Sequence, residues 1–274
     1  MAFSFACAMG HAPGITAWRD AAPPAQREHI YAAFAELRRR LEAARLDALV
    51  LLTAEHWANF FLDHMSPFCI GVAPSYCGPI EPWLRIERAT IAGEQELAAA
   101  LLAACNDHDI EPGFAHEMQL DHGTMVPLHF LTPGMSVPIV PIVFNTLATP
   151  LPAPRRCFAL GEVVGDVARR FPRRIGIVAT GGMSHDPGER RHGFIDQSFD
   201  SRFLRQMESG DVGKLKSYTS AELAAAGAGA LELVDWIALA GATRGAPGKV
   251  LAYEAVVPWA TGIGAMAFEL EGGR

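Results

Sequence analysis

The sequence predicts an α/β fold: a single domain over residues 1–274, with a central, mostly parallel (mixed) sheet flanked by helices and a metal site at the carboxyl ends of its strands. Three observations predict it. Short, continuously apolar runs bounded by Gly, Pro or Asn recur along the chain, as in strands covered on both faces. Segments with helical spacing alternate with these runs. Three of the runs are each followed within a few residues by a histidine, and open α/β sheets bind their ligands beyond the carboxyl ends of the strands.

The first apolar run covers residues 2–8. Pro23 and Pro24 then open a periodic segment that continues through Arg45, since proline at the first helical position loses no hydrogen bond. Leu46 to Thr53 reads as a buried strand, and Val137 to Phe144 and Ile175 to Thr180 read likewise. Gly93 to Cys105 and Arg155 to Phe171 have helical spacing, with Pro112 and Pro172 just beyond as terminators. Near the C-terminus, Thr219-Ser220-Ala221-Glu222 forms a capping box that starts a helix expected to run to about Ala242. That helix is apolar almost all round, so burial is expected.

The composition narrows the function. The chain has 274 residues, 23 basic and 30 acidic, for a formal charge of −7, and is 50% hydrophobic. A domain of this length buries roughly three quarters of its unfolded surface, enough for a core without disulfide or metal staples. No stripe of Lys and Arg could neutralise a row of phosphates, so nucleic acid is not expected as a partner. No run reaches the ~18 apolar residues of a membrane span, and residues 1–14 lack a basic signal-peptide region. The expectation is a cytoplasmic protein with no membrane partner. Cys7, Cys69, Cys77, Cys105 and Cys157 include no CxxC pair, which fits reduced, inert thiols.

The three histidines after strands are His11, His56 and His185. They lie too far apart for a local finger, and HExxH is absent, so a metal site would be assembled from separate loops. Imidazole suits iron, zinc and copper alike. A carboxylate partner could come from the apolar helix after Thr219, where Glu232 and Asp235 are equal candidates on periodicity. Two histidines and one carboxylate with open positions form the facial triad of non-haem Fe(II) oxygenases. His122, in Leu120-Asp121-His122-Gly123, reads either as a first-turn helix residue or as a pocket acid/base. His64, His108, His116, His129 and His192 read as surface or packing residues. Gly262-x-Gly264 lacks the third glycine of a dinucleotide fingerprint, and neither GxSxG nor a P-loop occurs.

Taken in order, these segments resemble the class III extradiol ring-cleaving dioxygenases, the family of the LigB-type catalytic subunit of protocatechuate 4,5-dioxygenase and of 2,3-dihydroxyphenylpropionate 1,2-dioxygenase. The resemblance covers most of the chain. Its landmarks are Gly10-His11-Ala12-Pro13, Glu55-His56-Trp57-Ala58-Asn59-Phe60-Phe61, Pro67-Phe68-Cys69-Ile70-Gly71-Val72, Gln119-Leu120-Asp121-His122-Gly123, Thr149-Pro150-Leu151-Pro152, Gly181-Gly182-Met183-Ser184-His185 and Glu232-Leu233-Val234-Asp235-Trp236. It implies Fe(II) held by His11, His56 and Glu232, a catalytic base at His185 and a second pocket histidine at His122. It also implies that an aromatic diol and O2 are the substrates and that the ring opens outside the diol with both oxygen atoms retained. Gly10 departs from the family, since many relatives carry Ser before the first ligand. The rival readings are a non-catalytic binding relative and a zinc-dependent hydrolase with the same ligands.

Substrates of the protocatechuate/gallate or 2,3-dihydroxyphenylpropionate type are expected. The direct passage from the GGMSH segment to Phe194-Ile195-Asp196 favours a smaller acid-bearing or simple catechol, and an aminophenol suits the same metal chemistry. Arg85, Arg88 and the loop Pro74 to Pro82 are candidates to meet the ring's side group. The expected assembly is a homo-oligomer, with a small capping subunit as the alternative.

Overall fold

The computed structural model describes residues 3–188 and 190–270. Its strands are β1 (Phe5–Met9), β2 (Ala48–Ala54), β3 (Phe68–Gly71), β4 (Ser75–Gly78), β5 (Ala89–Ala92), β6 (Gly113–Ala115), β7 (Ile139–Phe144), β8 (Ile175–Thr180), β9 (Gly248–Val256) and β10 (Thr261–Phe268). Eight of them form one sheet in the order β6-β3-β7-β2-β8-β1-β10-β9, and β4 and β5 form a separate antiparallel pair. The central four, β7, β2, β8 and β1, are mutually parallel. Antiparallel pairings at β3/β7, β1/β10 and β10/β9 make the sheet mixed.

Each central strand is buried along its whole length, which explains why its sequence is continuously apolar rather than alternating. Its side chains still divide between the two faces. In β2, Ala48, Val50 and Leu52 join one core with the helices Pro154–Arg170 and Leu233–Ala242, whereas Leu49 and Leu51 join another with the helices Pro24–Ala44 and His122–Leu131. The helices Pro154–Arg170 and Leu233–Ala242 meet backbone to backbone. A Cβ at Gly161, Gly165 or Gly241 would strike the other helix's main chain.

The strand Ile175–Thr180 and the helices around Pro24 and Pro154 fall where their sequence signals place them, within a residue or two at the ends. Of the first apolar run, residue 2 lies outside the described residues, and pairing begins at Phe5. The continuous helix expected from Thr219 to Ala242 is not found. The capping box forms, but the helix stops at Ala225; Gly227 takes φ 125°, a 3-10 turn covers Ala228–Glu232, and a second helix covers Leu233–Ala242. The break is imposed by a distant segment. Gly229 N–H donates to the carbonyl of His185, and a Cβ at Gly227 would collide with that same carbonyl. The expected burial holds for all ten residues of Leu233–Ala242.

Because four neighbouring strands run parallel, their carboxyl ends lie along one edge of the sheet. Met9, Ala54, Thr180 and Phe144 end there, so the segments that follow β1, β2 and β8 enter a common crevice. Among the described residues no helix is long and apolar enough to cross a membrane.

Candidate metal centre

Each inner side chain of the crevice is placed by local structure. His11 follows β1 directly and is buried, its Nδ1 lying 3.0 Å from Thr180 Oγ1 at the end of neighbouring β8. After β2, the carboxylate of Glu55 accepts the amide hydrogens of Ala58, Asn59 and Phe60, and the tight turn it closes carries His56. Gly181, at φ 126°, turns the chain out of β8 toward His185. Glu232 stands at the joint between the 3-10 turn and the last helix, so the unexpected helix break delivers it to the crevice.

Glu232 is the hub. Its Oε2 lies 3.2 Å from His11 Nε2 and accepts the Gly182 amide hydrogen at 2.7 Å. Its Oε1 lies 3.5 Å from both His56 Nε2 and His185 Nε2. Ligand nitrogens of His11, His56 and His122 lie within 4.8 Å of one another. Two three-ligand sets therefore share His11 and His56, completed by Glu232 or by His122.

Hydrogen bonds on the far side of each ring set the tautomers. His56 Nδ1 lies 2.9 Å from Asp121 Oδ2, and His122 Nδ1 lies 2.7 Å from Glu81 Oε1. His185 Nδ1 lies 2.8 Å from the carbonyl of Met183, which can only accept. Each of these rings thus donates from Nδ1 and, when neutral, presents the Nε2 lone pair to the crevice. Gly182 and Gly229 flank His185 so closely that a Cβ on either would press into its ring.

Burial would protonate Glu232, but His11 and His185 outweigh it and hold this carboxyl well below its ordinary range. Burial likewise pushes His11 down to about 4, against the opposing pull of Glu232, so His11 is a neutral imidazole near neutral pH. His56 is raised well above its ordinary value, because Asp121 and Glu232 overcome the burial that opposes its charge. His185 is raised by Glu232 and the Met183 carbonyl, again against burial. Asp121 is buried yet held down to about 2 by His56.

This donor set fits a metal ion. An ionised, buried carboxylate faces neutral-capable imidazoles, and His56 Nε2 is buried with no hydrogen-bond partner, as an atom aimed at an ion would be. Asp235, the other carboxylate candidate, is fully buried away from the crevice. Both its oxygens lack hydrogen-bond partners, and burial drives its pKa well above the ordinary carboxylate range.

The crevice is a cavity of about 400 Å³ whose lining includes His11, His56, His122, His185 and Glu232 together with Ala12, Pro13, Trp18, Pro258 and Trp259. His192, expected to be a surface or packing residue, also lines it from an exposed position at the end of the GGMSH loop, a placement that only the fold of that loop decides. Arg85 and Arg88 do not line it, and Arg88 instead donates to the carbonyl of Pro79. Of the loop Pro74 to Pro82, Glu81 reaches the site through His122.

One buried network escaped the sequence. Asp200, on the helix Gln197–Ser209, accepts the amide and hydroxyl hydrogens of Ser184 at 2.8 Å each and the Tyr253 hydroxyl at 2.7 Å, and Ser184 Oγ in turn accepts the Asp196 amide hydrogen. It anchors the loop that ends in His185. Its only sequence trace is an acid in the first turn of a helix, an ordinary placement.

Known proteins carry the same plan. The crystal structure of an uncharacterized protein from Escherichia coli K12 superposes with a TM-score of 0.60 at 14% identity, covering 97% of this chain and 99% of that one, a likeness of fold. A 2,3-dihydroxyphenylpropionate/2,3-dihydroxicinnamic acid 1,2-dioxygenase of Klebsiella pneumoniae (strain 342) is 34% identical over 165 residues, 58% of this chain but only half of that protein's length. One from Dechloromonas aromatica (strain RCB) is 26% identical over 302 residues, 90% of this chain and 93% of the relative, and one from Burkholderia vietnamiensis is 27% identical over 309 residues, 94% and 95%. Both alignments are longer than this chain, so these relatives carry segments it lacks. The family model for the catalytic LigB subunit of aromatic ring-opening dioxygenase matches residues 5–264. With its post-strand histidines and buried glutamate in one crevice, the chain belongs to the LigB family of aromatic ring-opening dioxygenases, the extradiol class that its motifs resemble.

Proposed function

We propose that this protein, acting as one catalytic domain, is a non-haem Fe(II)-dependent extradiol dioxygenase of a catecholic substrate, with His11, His56 and Glu232 holding the ion. The observation that carries the reading is the Glu232 carboxylate, ionised and buried, between the Nε2 atoms of His11, at 3.2 Å, and His56, at 3.5 Å. Bound there, Fe(II) would supply the electron transfer that lets a spin-paired diol react with O2.

The remaining work falls to the chain. The apolar part of the lining, Ala12, Pro13, Trp18, Pro258 and Trp259, would pack against the ring. His185 presents Nε2 as proton acceptor for a diol hydroxyl, because its Nδ1 hydrogen is committed to Met183. Glu232, 3.5 Å away, stabilises the resulting imidazolium, and the proton returns to the product as the ring opens. His122, fixed by Glu81, offers a second polar atom to the same crevice, to bind the diol or to pass a proton. The ring carbon–carbon bond beside the diol is broken and both atoms of O2 remain in the product, so no external reductant is consumed.

The alternative set His11, His56 and His122 is one that zinc accepts, which keeps a zinc hydrolase as the second reading. Anaerobic reconstitution with Fe(II) or Zn(II), followed by oxygen uptake on a catechol, separates the two: equimolar oxygen uptake with iron alone is expected. Buried, unpaired thiols at Cys7, Cys69, Cys105 and Cys157 support a reducing, cytoplasmic setting. Exposed Trp57, Phe61 and Leu62 offer apolar surface that supports a homo-oligomer, testable by light scattering.

A further inference from the structure

We infer that the cavity is built for catechols whose ring bears an uncharged, apolar substituent, an alkyl or aryl group, and that it discriminates against a carboxylate attached to the ring, as in protocatechuate or gallate. The inference rests on the dioxygenase reading and deepens it. Among the described residues, no Lys or Arg lines the cavity. The four inner histidines are already matched with acidic side chains: His11 and His185 with Glu232, His56 with Asp121 and Glu232, His122 with Glu81. Arg191, in the loop that follows GGMSH, is committed to Asp186 at 2.9 Å and stacks on Phe194.

The tryptophan part of the lining is apolar and held by its own contacts. Trp18 stacks on Trp83 with ring centroids 5.4 Å apart and an interplanar angle of 16°. Trp259 Nε1 donates to the Trp18 carbonyl at 3.0 Å, and Gly14 packs so closely on the Trp259 ring that no Cβ would fit between them. A diol held at the metal ligands directs the rest of its small ring into the same cavity of about 400 Å³, so a carboxylate on the ring would be stripped of water with no cation to meet it. An apolar substituent would gain by the same burial.

The test is a pair of anaerobic titrations of the iron-loaded protein, read by tryptophan fluorescence, with 4-ethylcatechol and with protocatechuate, followed by oxygen uptake on each. The ethyl compound is expected to bind at least tenfold more tightly and to show at least tenfold higher kcat/KM. His192→Arg, which sets a guanidinium at the exposed edge of the cavity, is expected to bring the two Kd values within about threefold. Equal or tighter binding of protocatechuate by the unaltered protein, binding of neither compound, or a Kd ratio that His192→Arg leaves unchanged would each overturn the inference. Selective binding of 4-ethylcatechol without oxygen uptake would uphold it while removing the dioxygenase reading.

Discussion

His56 Nδ1 lies 2.9 Å from Oδ2 of Asp121, a contact that joins the turn after β2 to the start of a helix 65 residues further on. It fixes which nitrogen of His56 faces the crevice, and Gly123 leaves the room for it, because a Cβ there would crowd Thr53, His56 and Asp121 together. Asp121→Asn keeps the shape and removes the charge. Metal affinity is expected to fall about 10–100-fold, as for other carboxylates that orient a ligating histidine, measured by competition with a chelator of known affinity. Unchanged affinity would show that the pair does not orient a ligand.

His185 and Glu232 should fail differently. His185→Ala is expected to retain stoichiometric iron and lose about 10²–10⁴-fold in kcat, the usual contribution of a positioned proton acceptor. Glu232→Ala is expected to lose the iron itself. Metal analysis beside turnover distinguishes them, and equal loss of iron in both variants would contradict the assigned roles.

Gly229→Ala tests the same histidine without altering it. The added methyl would enter the space of the His185 ring, so kcat should fall while iron content holds. Wild-type turnover in this variant would show that the ring's position does not matter.

Metal uptake should be pH-dependent with a defined sign. In the metal-free protein, Asp121 and Glu232 keep His56 protonated above its ordinary range, against burial, and an ion must displace that proton to bind Nε2. Affinity is expected to rise with pH, about tenfold per unit, until His56 deprotonates unaided, and to level off above that point. Calorimetry in buffers of different ionisation enthalpy reads the released proton directly. In Asp121→Asn the release near neutral pH should shrink.

Asp200→Ala removes the anchor of Ser184 and Tyr253. It is expected to cost roughly 2–4 kcal/mol, since two hydroxyls and one amide lose a buried acceptor, and urea unfolding measures it. Tyr253→Phe, which removes a single donor, should cost less.

The strands and the post-strand histidines were legible because burial on both faces writes itself as an unbroken apolar run, and because parallel strands send their carboxyl ends to one edge. Leu49 to Thr53 followed by His56 carries both signals in eight residues. The choice between Glu232 and Asp235 was not legible from periodicity, which places both on one apolar helix. In space the two part at the break at Gly227, which packs on the carbonyl of His185, 42 residues earlier in the chain: Glu232 lines the crevice and Asp235 does not. The strand β10 was not legible because glycines at 262 and 264 interrupt its pattern; there a Cβ would meet Asp200, Met183 and Trp236. Asp200 was invisible for a different reason, its partners Ser184 and Tyr253 lying 16 and 53 residues away.

The central claim, that the crevice of His11, His56, Glu232 and His185 opens an aromatic ring with both atoms of O2, is tested most directly by turnover of the iron-loaded protein under ¹⁸O2. The product should be trapped by borohydride before its aldehyde oxygen exchanges with water. Two heavy oxygens in one ring-opened product are the result expected. Heavy oxygen acquired only from labelled water, or product formed without O2, would contradict the account and point to hydrolysis at the same residues.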